Sequence, residues 1–413
     1  MEGAEVLELF ELDYSDLLLL SSDECLSSSS SSSEEIQRLQ SITKRIMENL
    51  GRRGPGLIAI KSVPGASRLR RKLLPLARKL ALLNHDHRKC ILKEHNLGSD
   101  VPLKNLDRTV SSFAMQLKYE KLGSERSEGQ ETLPMDDSSD AEFKDLEHCF
   151  KVLGFLMMEL GLGLARACDR AIGGREVEES LLESCSAKGR LIHYHSTIDN
   201  AIIKQVSKRK GKIRDGFRAN GMKKPEQLEN ANNQAELWQQ WHYDYGIFTV
   251  LTAPMFMSAS DQECPSPNSH TYLQIFHPEK EIILMVDAPP ESFIVQVGES
   301  ADVLSKGKLR ATLHCVCRPA LLENLSRETF VVFLQPCWKK TFSLTNYPVE
   351  SSTYGSSEQN HSEQQDFFNK LLSDIHNVVP PLSLRIRDGM TFAEFSKETT
   401  KQYYGDKGLQ AKP

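Results

Sequence analysis

Near residue 187 the apolar spacing of this chain changes from a helical period to an alternating one, and that change limits what the chain can fold into. Seven short runs follow it: Leu191–Tyr194, Ile247–Leu251, Tyr272–Phe276, Ile282–Val286, Phe293–Val297, Thr312–Cys317 and Thr329–Leu334. Pro, Gly and Ser turns separate them. Many short strands with such turns predict a closed or sandwiched antiparallel sheet.

Before residue 187 the pattern is helical with one interruption. Ser32-x-x-Glu35 has capping-box spacing and opens a helix through Ile36, Leu39, Ile42, Ile46 and Leu50, which Gly51 stops. Gly56–Val63 (GLIAIKSV) then reads as a buried strand ending at Pro64. Amphipathic helices are expected over 67–83 and 141–171, the second with Phe143, Leu146, Phe150, Leu153, Met157 and Leu160 on one stripe. These stripes read as core. Beyond Phe342 two helices are expected, over 363–375 and 391–403, and no internal repeat is visible.

Residues 1–33 end in seven serines, Ser27–Ser33, a tract too polar to offset its ordering entropy, so a disordered arm is expected there. Leu17–Leu20 within it reads as a transient or locally packed segment in preference to a partner-binding helix. The organisation expected is thus an acidic, Ser-rich arm (1–33), a mostly helical region (34–186), a β core (187–345) and C-terminal helices (346–413). A basic insertion interrupts the core over 197–240. It carries Lys204, Lys208, Arg209, Lys210, Lys212, Arg214, Arg218, Lys223 and Lys224, and its polar end runs into Trp238 and Trp241. A solvated insertion with a helical part is favoured over a docking site for nucleic acid or protein, because no aromatic interleaving supports the latter.

Global charge points to no special partner. Lys+Arg 51 against Asp+Glu 56 gives a net charge of -5, so nucleic acid or an anionic membrane would need a local patch. With 39% apolar and 26% charged residues, collagen-like, wholly disordered and small disulfide-framework classes are excluded. The first 36 residues hold acids and no Lys or Arg, unlike a signal or transit peptide, and a cytosolic or nuclear location is expected. Leu153–Leu164 is broken by Glu159 and followed by Arg166 and Asp169, so no membrane span is expected. The 9 cysteines, an odd set, read as reduced thiols, and Cys315-Val316-Cys317 as small buried side chains on one strand face rather than metal ligands.

Chemistry concentrates in a constellation. His242-Tyr243-Asp244 offers an imidazole and a carboxylate at a strand end, and His314 lies on the later run ATLHCVC. Two histidines and one carboxylate on one face of an octahedron leave three adjacent positions open for a bidentate co-substrate and O2, the arrangement of non-haem Fe(II) sites. Arg327 and Thr329 open the next run (RETFVVFL), where a guanidinium and a hydroxyl two residues along can hold a carboxylate. H-x-D, then His, then R-x-T, in that order on alternating runs, is a specific pattern. An isolated H-x-D arises about once by chance in a chain with 12 histidines.

Around these residues the chain resembles the isopenicillin N synthase-like branch of the 2-oxoglutarate and Fe(II)-dependent oxygenases, a branch abundant in plants. The likeness lies in HYDYGIFTVLTAPMF, in VDAPPESFIVQVGESADVLSKGKLRATLHCVCRP and in SRETFVVFLQP. GLIAIKSVPG resembles the N-terminal strand before the first helix, and GMTFAEFSKETTKQYYGDKGL the C-terminal helix. The resemblance implies a double-stranded β-helix (jelly-roll) core, mainly β, with an N-terminal helical region and C-terminal helices. It implies Fe(II) on His242, Asp244 and His314, and 2-oxoglutarate with its far carboxylate on Arg327 and Thr329. Tyr194, in RLIHYHS, is similar to the tyrosine of the family's N-x-Y-P motif, whose hydroxyl contacts 2-oxoglutarate. Ile192 and His195 replace that motif's Asn and Pro, Thr329 replaces a usual Ser, and SASDQECPSPNS lengthens the gap before His314.

The activity implied is oxidation, by hydroxylation or desaturation, of an unidentified small organic substrate, with O2 consumed and 2-oxoglutarate decarboxylated to succinate. Two alternatives stay open: a non-catalytic binding or regulatory protein on the same scaffold, and an ascorbate-using iron oxidase independent of 2-oxoglutarate. His193 and His195, flanking Tyr194, read as structural or exposed groups, and His85 and His87 as a polar helix end.

Overall fold

The computed structural model describes residues 5–22, 33–119, 141–211, 237–319, 324–348, 373, 375 and 378–404. The chain begins β1 (Val6–Glu8), β2 (Glu11–Asp13), α1 (Tyr14–Ser21), α2 (Ser33–Leu50), β3 (Leu57–Lys61), α3 (Ala66–Leu82) and α4 (His85–Glu94). It continues β4 (Val110–Lys118), α5 (Leu146–Ile172), α6 (Glu176–Ser184), β5 (Ser186–Tyr194) and α7 (Thr197–Gly211). Strands then dominate: β6 (Leu237–His242), β7 (Phe248–Thr252), β8 (Met255–Met257), β9 (Glu263–Cys264), β10 (Leu273–His277), β11 (Ile282–Asp287) and β12 (Phe293–Val297). The last elements are α8 (Glu299–Leu304), β13 (His314–Cys317), β14 (Ser326–Leu334) and α9 (Phe392–Tyr404).

Two sheets result. The smaller has the order β1-β11-β10-β13-β6, and the larger β2-β3-β12-β7-β14-β5-β4, with β8 added on β14 and β9 on β8. Pairing is antiparallel except where β1 joins β11 and β2 joins β3. Strand alternation sorts the side chains of the larger sheet into two layers. Phe293 and Val295 of β12, and Phe330 and Val332 of β14, join the core beneath α3 and α5. Ile294 and Val331, from the same strands, pack instead with Leu273, Ile275, Leu284 and Val316 of the smaller sheet. The interior that holds the candidate site therefore lies between the sheets.

Helix α5 seats on the larger sheet through glycines. A Cβ on Gly161 would lie 2.0 Å from Leu334 Cδ1, and one on Gly154 2.4 Å from Leu117 Cδ1, so a larger residue at either place would have to displace a packed leucine methyl. Phe150 of α5 meets Phe330 edge-on at 4.6 Å between ring centroids. Truncating either buried ring would cost roughly 3–5 kcal/mol. By length and composition α5 could cross a membrane, contrary to the expectation from Glu159, yet 61% of its most apolar window is buried inside the protein. Its apolarity is spent on the core.

The expected disordered arm is corrected over residues 5–22. β1 and β2 add as edge strands, with Leu12 of β2 buried, and α1 packs on α5 with Leu17 buried. The acids do not oppose this, because Glu5, Glu8 and Glu11 stay exposed and Lys61 pairs with Glu11 at 2.7 Å. Leu17–Leu20 is thus locally packed. The Ser32 cap and residues 23–32 lie outside the described residues, as does nearly all of the helix expected at 363–375.

Among its described residues the region 34–186 contains two strands, β3 and β4, and only the first carries a clear sequence signal. β4 has Phe113, Met115 and Leu117 on one face, but the apolar Ala114 between them and the Ser111-Ser112 pair before them weaken the alternation. The insertion ends before residue 237, not at 240: β6 is a paired strand, with Trp238 and Trp241 buried and Trp238 Nε1 donating to His195 O at 2.9 Å. Lys204 of α7 pairs with Asp107 at 2.7 Å. The side chains from Ser207 to Gly211, and residues 212–236 with their basic cluster, lie outside the described residues.

Candidate metal centre

His242 closes β6 and His314 opens β13, and antiparallel pairing sets the two directly opposite each other. Their ring centroids are 4.2 Å apart. Asp244 follows in the turn after β6, with Oδ1 3.8 Å from His242 Nε2 and Oδ2 3.8 Å from His314 Nε2. One ligand atom from each residue lies within 4.8 Å of the others, and no other such group occurs among the described residues.

Backbone carbonyls decide which nitrogens face inward. His242 Nδ1 is 2.7 Å from Gln240 O, and His314 Nδ1 is 3.0 Å from Thr312 O. A carbonyl only accepts, so both Nδ1 atoms carry the proton, which leaves each Nε2 unprotonated and 3.8 Å from an Asp244 oxygen. Burial, reinforced by His314, pushes the His242 imidazolium down to about 4, so the ring is neutral at neutral pH. Asp244 is held in turn: Thr249 Oγ1 donates to its Oδ2 at 2.6 Å, and Glu299 N to its carbonyl at 2.8 Å. Two imidazoles and a carboxylate suit a first-row divalent ion.

Arg327 and Thr329 lie on β14, two residues apart, facing the interior with Val331. Arg327 is 1% exposed. Its Nε donates to Thr271 O at 3.0 Å, and its guanidinium lies 5.1 Å from the Tyr194 ring centroid. It forms no ion pair with a carboxylate among the described residues, and a buried charge without a counter-ion is costly. Thr329 Oγ1 donates to Thr252 O at 3.2 Å. To donate to a ligand, that hydroxyl must rotate.

Tyr194 reaches the site differently from the expectation. Its hydroxyl is 2.8 Å from Gln239 Oε1, and Gln239 Nε2 is 2.9 Å from His242 Nε2. Burial pushes the phenol up, so it stays a donor. Sequence reasoning misses Gln239 because it lies three residues before His242, on the opposite strand face under plain alternation. A bulge explains the difference: Val316 pairs Gln239 while His314 pairs His242, two residues of β13 against three of β6.

His193 and His195 point to the opposite face from Tyr194 and are fully buried, which corrects the exposed reading and leaves the structural one. His193 Nδ1 lies 2.9 Å from both Glu328 oxygens. His195 bonds Ser111 Oγ at 2.9 Å and Asn200 Oδ1 at 2.8 Å. Cys315 and Cys317 are buried in the apolar cluster with Trp241 and Phe276. His85 and His87 sit in the first turn of α4.

Among solved structures, a full-length Neurospora crassa protein in complex with alpha-KG is similar, with TM-score 0.50 and 14% identity over 90% of this chain and 98% of that one. Dioxygenase for auxin oxidation in rice gives TM-score 0.47 and 16% identity, covering 93% and 98%. The 2-oxoglutarate complex of dioxygenase for auxin oxidation 1 from Arabidopsis thaliana gives 0.46 and 15%, covering 79% and 92%. No protein-family model matches the chain, and no curated protein matches it. At such identity the likeness to the Neurospora crassa protein is one of fold, a mixed helix and sheet architecture spanning nearly the whole chain.

Proposed function

We propose that this protein is an Fe(II)- and 2-oxoglutarate-dependent oxygenase acting on a small organic molecule, built on a double-stranded β-helix. The observation that carries the reading is the pairing of two features in one interior. His242 and His314 each bring an unprotonated Nε2 to 3.8 Å from an Asp244 oxygen, and Arg327 is a buried cation with no carboxylate partner among the described residues. The alpha-KG bound to the Neurospora crassa protein supports the same class.

In this reading His242, Asp244 and His314 hold the metal, with Thr249 orienting the Asp244 carboxylate and the Glu299 amide holding its main-chain carbonyl. Arg327 takes the far carboxylate of 2-oxoglutarate, its planar fork matching two oxygens. Bound Fe(II) would supply the O2 and electron chemistry, coupled to decarboxylation of 2-oxoglutarate to succinate. The protein's own contribution is neutral imidazoles, an apolar enclosure and a fixed counter-charge. The strands of residues 187–345 would form the core, to which β2, β3 and β4 add from the N-terminal side.

The test is succinate formation from 2-oxoglutarate by the Fe(II)-loaded protein, with Asp244→Ala and His314→Ala in parallel. Turnover lost in both variants supports the proposal. 2-oxoglutarate binding without succinate would favour the non-catalytic scaffold, and full turnover in either variant would remove these residues from the site.

A further inference from the structure

The His242 tautomer fixes more than the metal-facing lone pair. Because Nδ1–H is committed to Gln240 O, the group facing His242 Nε2 must be a donor, so it is the amide nitrogen of Gln239. Gln239 Oε1 is then left for the Tyr194 hydroxyl, at 2.8 Å. The Tyr194 ring is itself clamped between Trp238, at 5.6 Å between centroids, and the Arg327 guanidinium. A continuous polar path thus runs from Arg327 over Tyr194 to Gln239 and the edge of the metal triad.

Ligation of a metal by His242 Nε2 consumes the lone pair that Gln239 now uses. The amide N–H then has no acceptor, while Tyr194 still holds the other end of the side chain in place. A donor left unsatisfied in a partly buried pocket is costly, and an anionic oxygen in the same pocket relieves it. We infer that Gln239 is a co-substrate-binding residue: its side-chain N–H donates to the metal-chelating end of the 2-oxo acid, with Tyr194 as the positioning residue that sets the amide's orientation. This rests on the oxygenase reading above, and it divides the co-substrate between two donors at opposite ends, Arg327 and Gln239.

The test is isothermal titration of 2-oxoglutarate into protein saturated with Mn(II), a redox-silent ion, together with titration of Mn(II) alone. Gln239→Leu should weaken 2-oxoglutarate roughly 10-fold, as expected for a lost hydrogen bond to a charged group, and should not weaken Mn(II) alone, whose binding no longer has to break the Gln239–His242 hydrogen bond. Gln239→Glu, which replaces the donor by a carboxylate of the same shape, should weaken it further. Tyr194→Phe should act in the same direction, and its effect should shrink in the Gln239→Leu background. Gln239→Asn keeps an amide should the leucine variant fail to fold, and should bind more tightly than Gln239→Glu. Unchanged 2-oxoglutarate affinity in Gln239→Leu, or an equal loss of Mn(II) affinity, would overturn the inference while leaving the oxygenase reading intact. Failure of the wild-type protein to bind 2-oxoglutarate at all would instead count against that reading.

Discussion

Arg385 and Glu299 form a bidentate ion pair in which both side chains are almost completely buried, 0% and 3% exposed. Arg385 also donates to Thr399 Oγ1 at 3.1 Å and to Pro380 O at 3.0 Å, so the pair fastens the C-terminal segment to the start of α8. The same Glu299 donates its backbone N–H to Asp244 O, and the Tyr403 hydroxyl of α9 accepts from Tyr243 N at 3.3 Å. The C-terminal helix therefore holds the turn between His242 and Asp244 from outside.

Removing one member of that pair should leave a buried, uncompensated charge. Arg385→Met is expected to destabilise the fold by roughly 3–5 kcal/mol in urea unfolding and to weaken Mn(II) binding by loosening the Asp244 turn. Arg385→Met with Glu299→Leu should recover part of the stability, since two matched apolar groups replace two charges. A single variant as stable as the wild type would show that the pair does not hold the segment.

Asp302 gives the stability a distinct pH dependence. Burial pushes its carboxyl up to about 6, against hydrogen bonds from Ala311 N at 3.2 Å and the Tyr347 hydroxyl at 3.1 Å. Its ordinary value is 3.8. Between about pH 4 and 6 the folded protein keeps a proton that the unfolded chain releases, so stability falls as pH rises through that window and is level above it. The expected difference is on the order of 2–3 kcal/mol. Urea unfolding across this range should show the slope in the wild type and a flatter one in Asp302→Asn; identical slopes would contradict the assignment.

The seat of α5 predicts a coupled pair. Gly161→Val should cost roughly 2–3 kcal/mol by driving a side chain into Leu334. Adding Leu334→Ala opens room, so the double variant should be less destabilised than the sum of the singles. Strict additivity of the unfolding free energies would mean that the contact is not what sets the helix height.

What the sequence discloses follows the strength of local pattern. All seven expected strand runs are strands, and α2, α3, α5 and α9 match helical stripes or caps, because each repeats its period over several residues. Strands β1 and β2 have three residues each, too few for a period, and exist by pairing with β11 and β3. His242, Asp244 and His314 can be picked out because chain order and residue type suffice. Gln239 cannot, since its place beside His242 depends on a bulge between β6 and β13 that no local rule indicates. Tyr194 is legible as a residue of the site, but its hydroxyl partner depends on the same bulge.

The most direct measurement is an anaerobic titration of the protein with Fe(II) and 2-oxoglutarate, following the visible charge-transfer band of the chelate, with Arg327→Ala alongside. The account predicts a band that requires both components and, in Arg327→Ala, at least about 30-fold more 2-oxoglutarate to reach it, the effect of losing a buried charge partner. No band in the wild type, or a band indifferent to Arg327, would contradict the assignment of this interior to Fe(II) and 2-oxoglutarate.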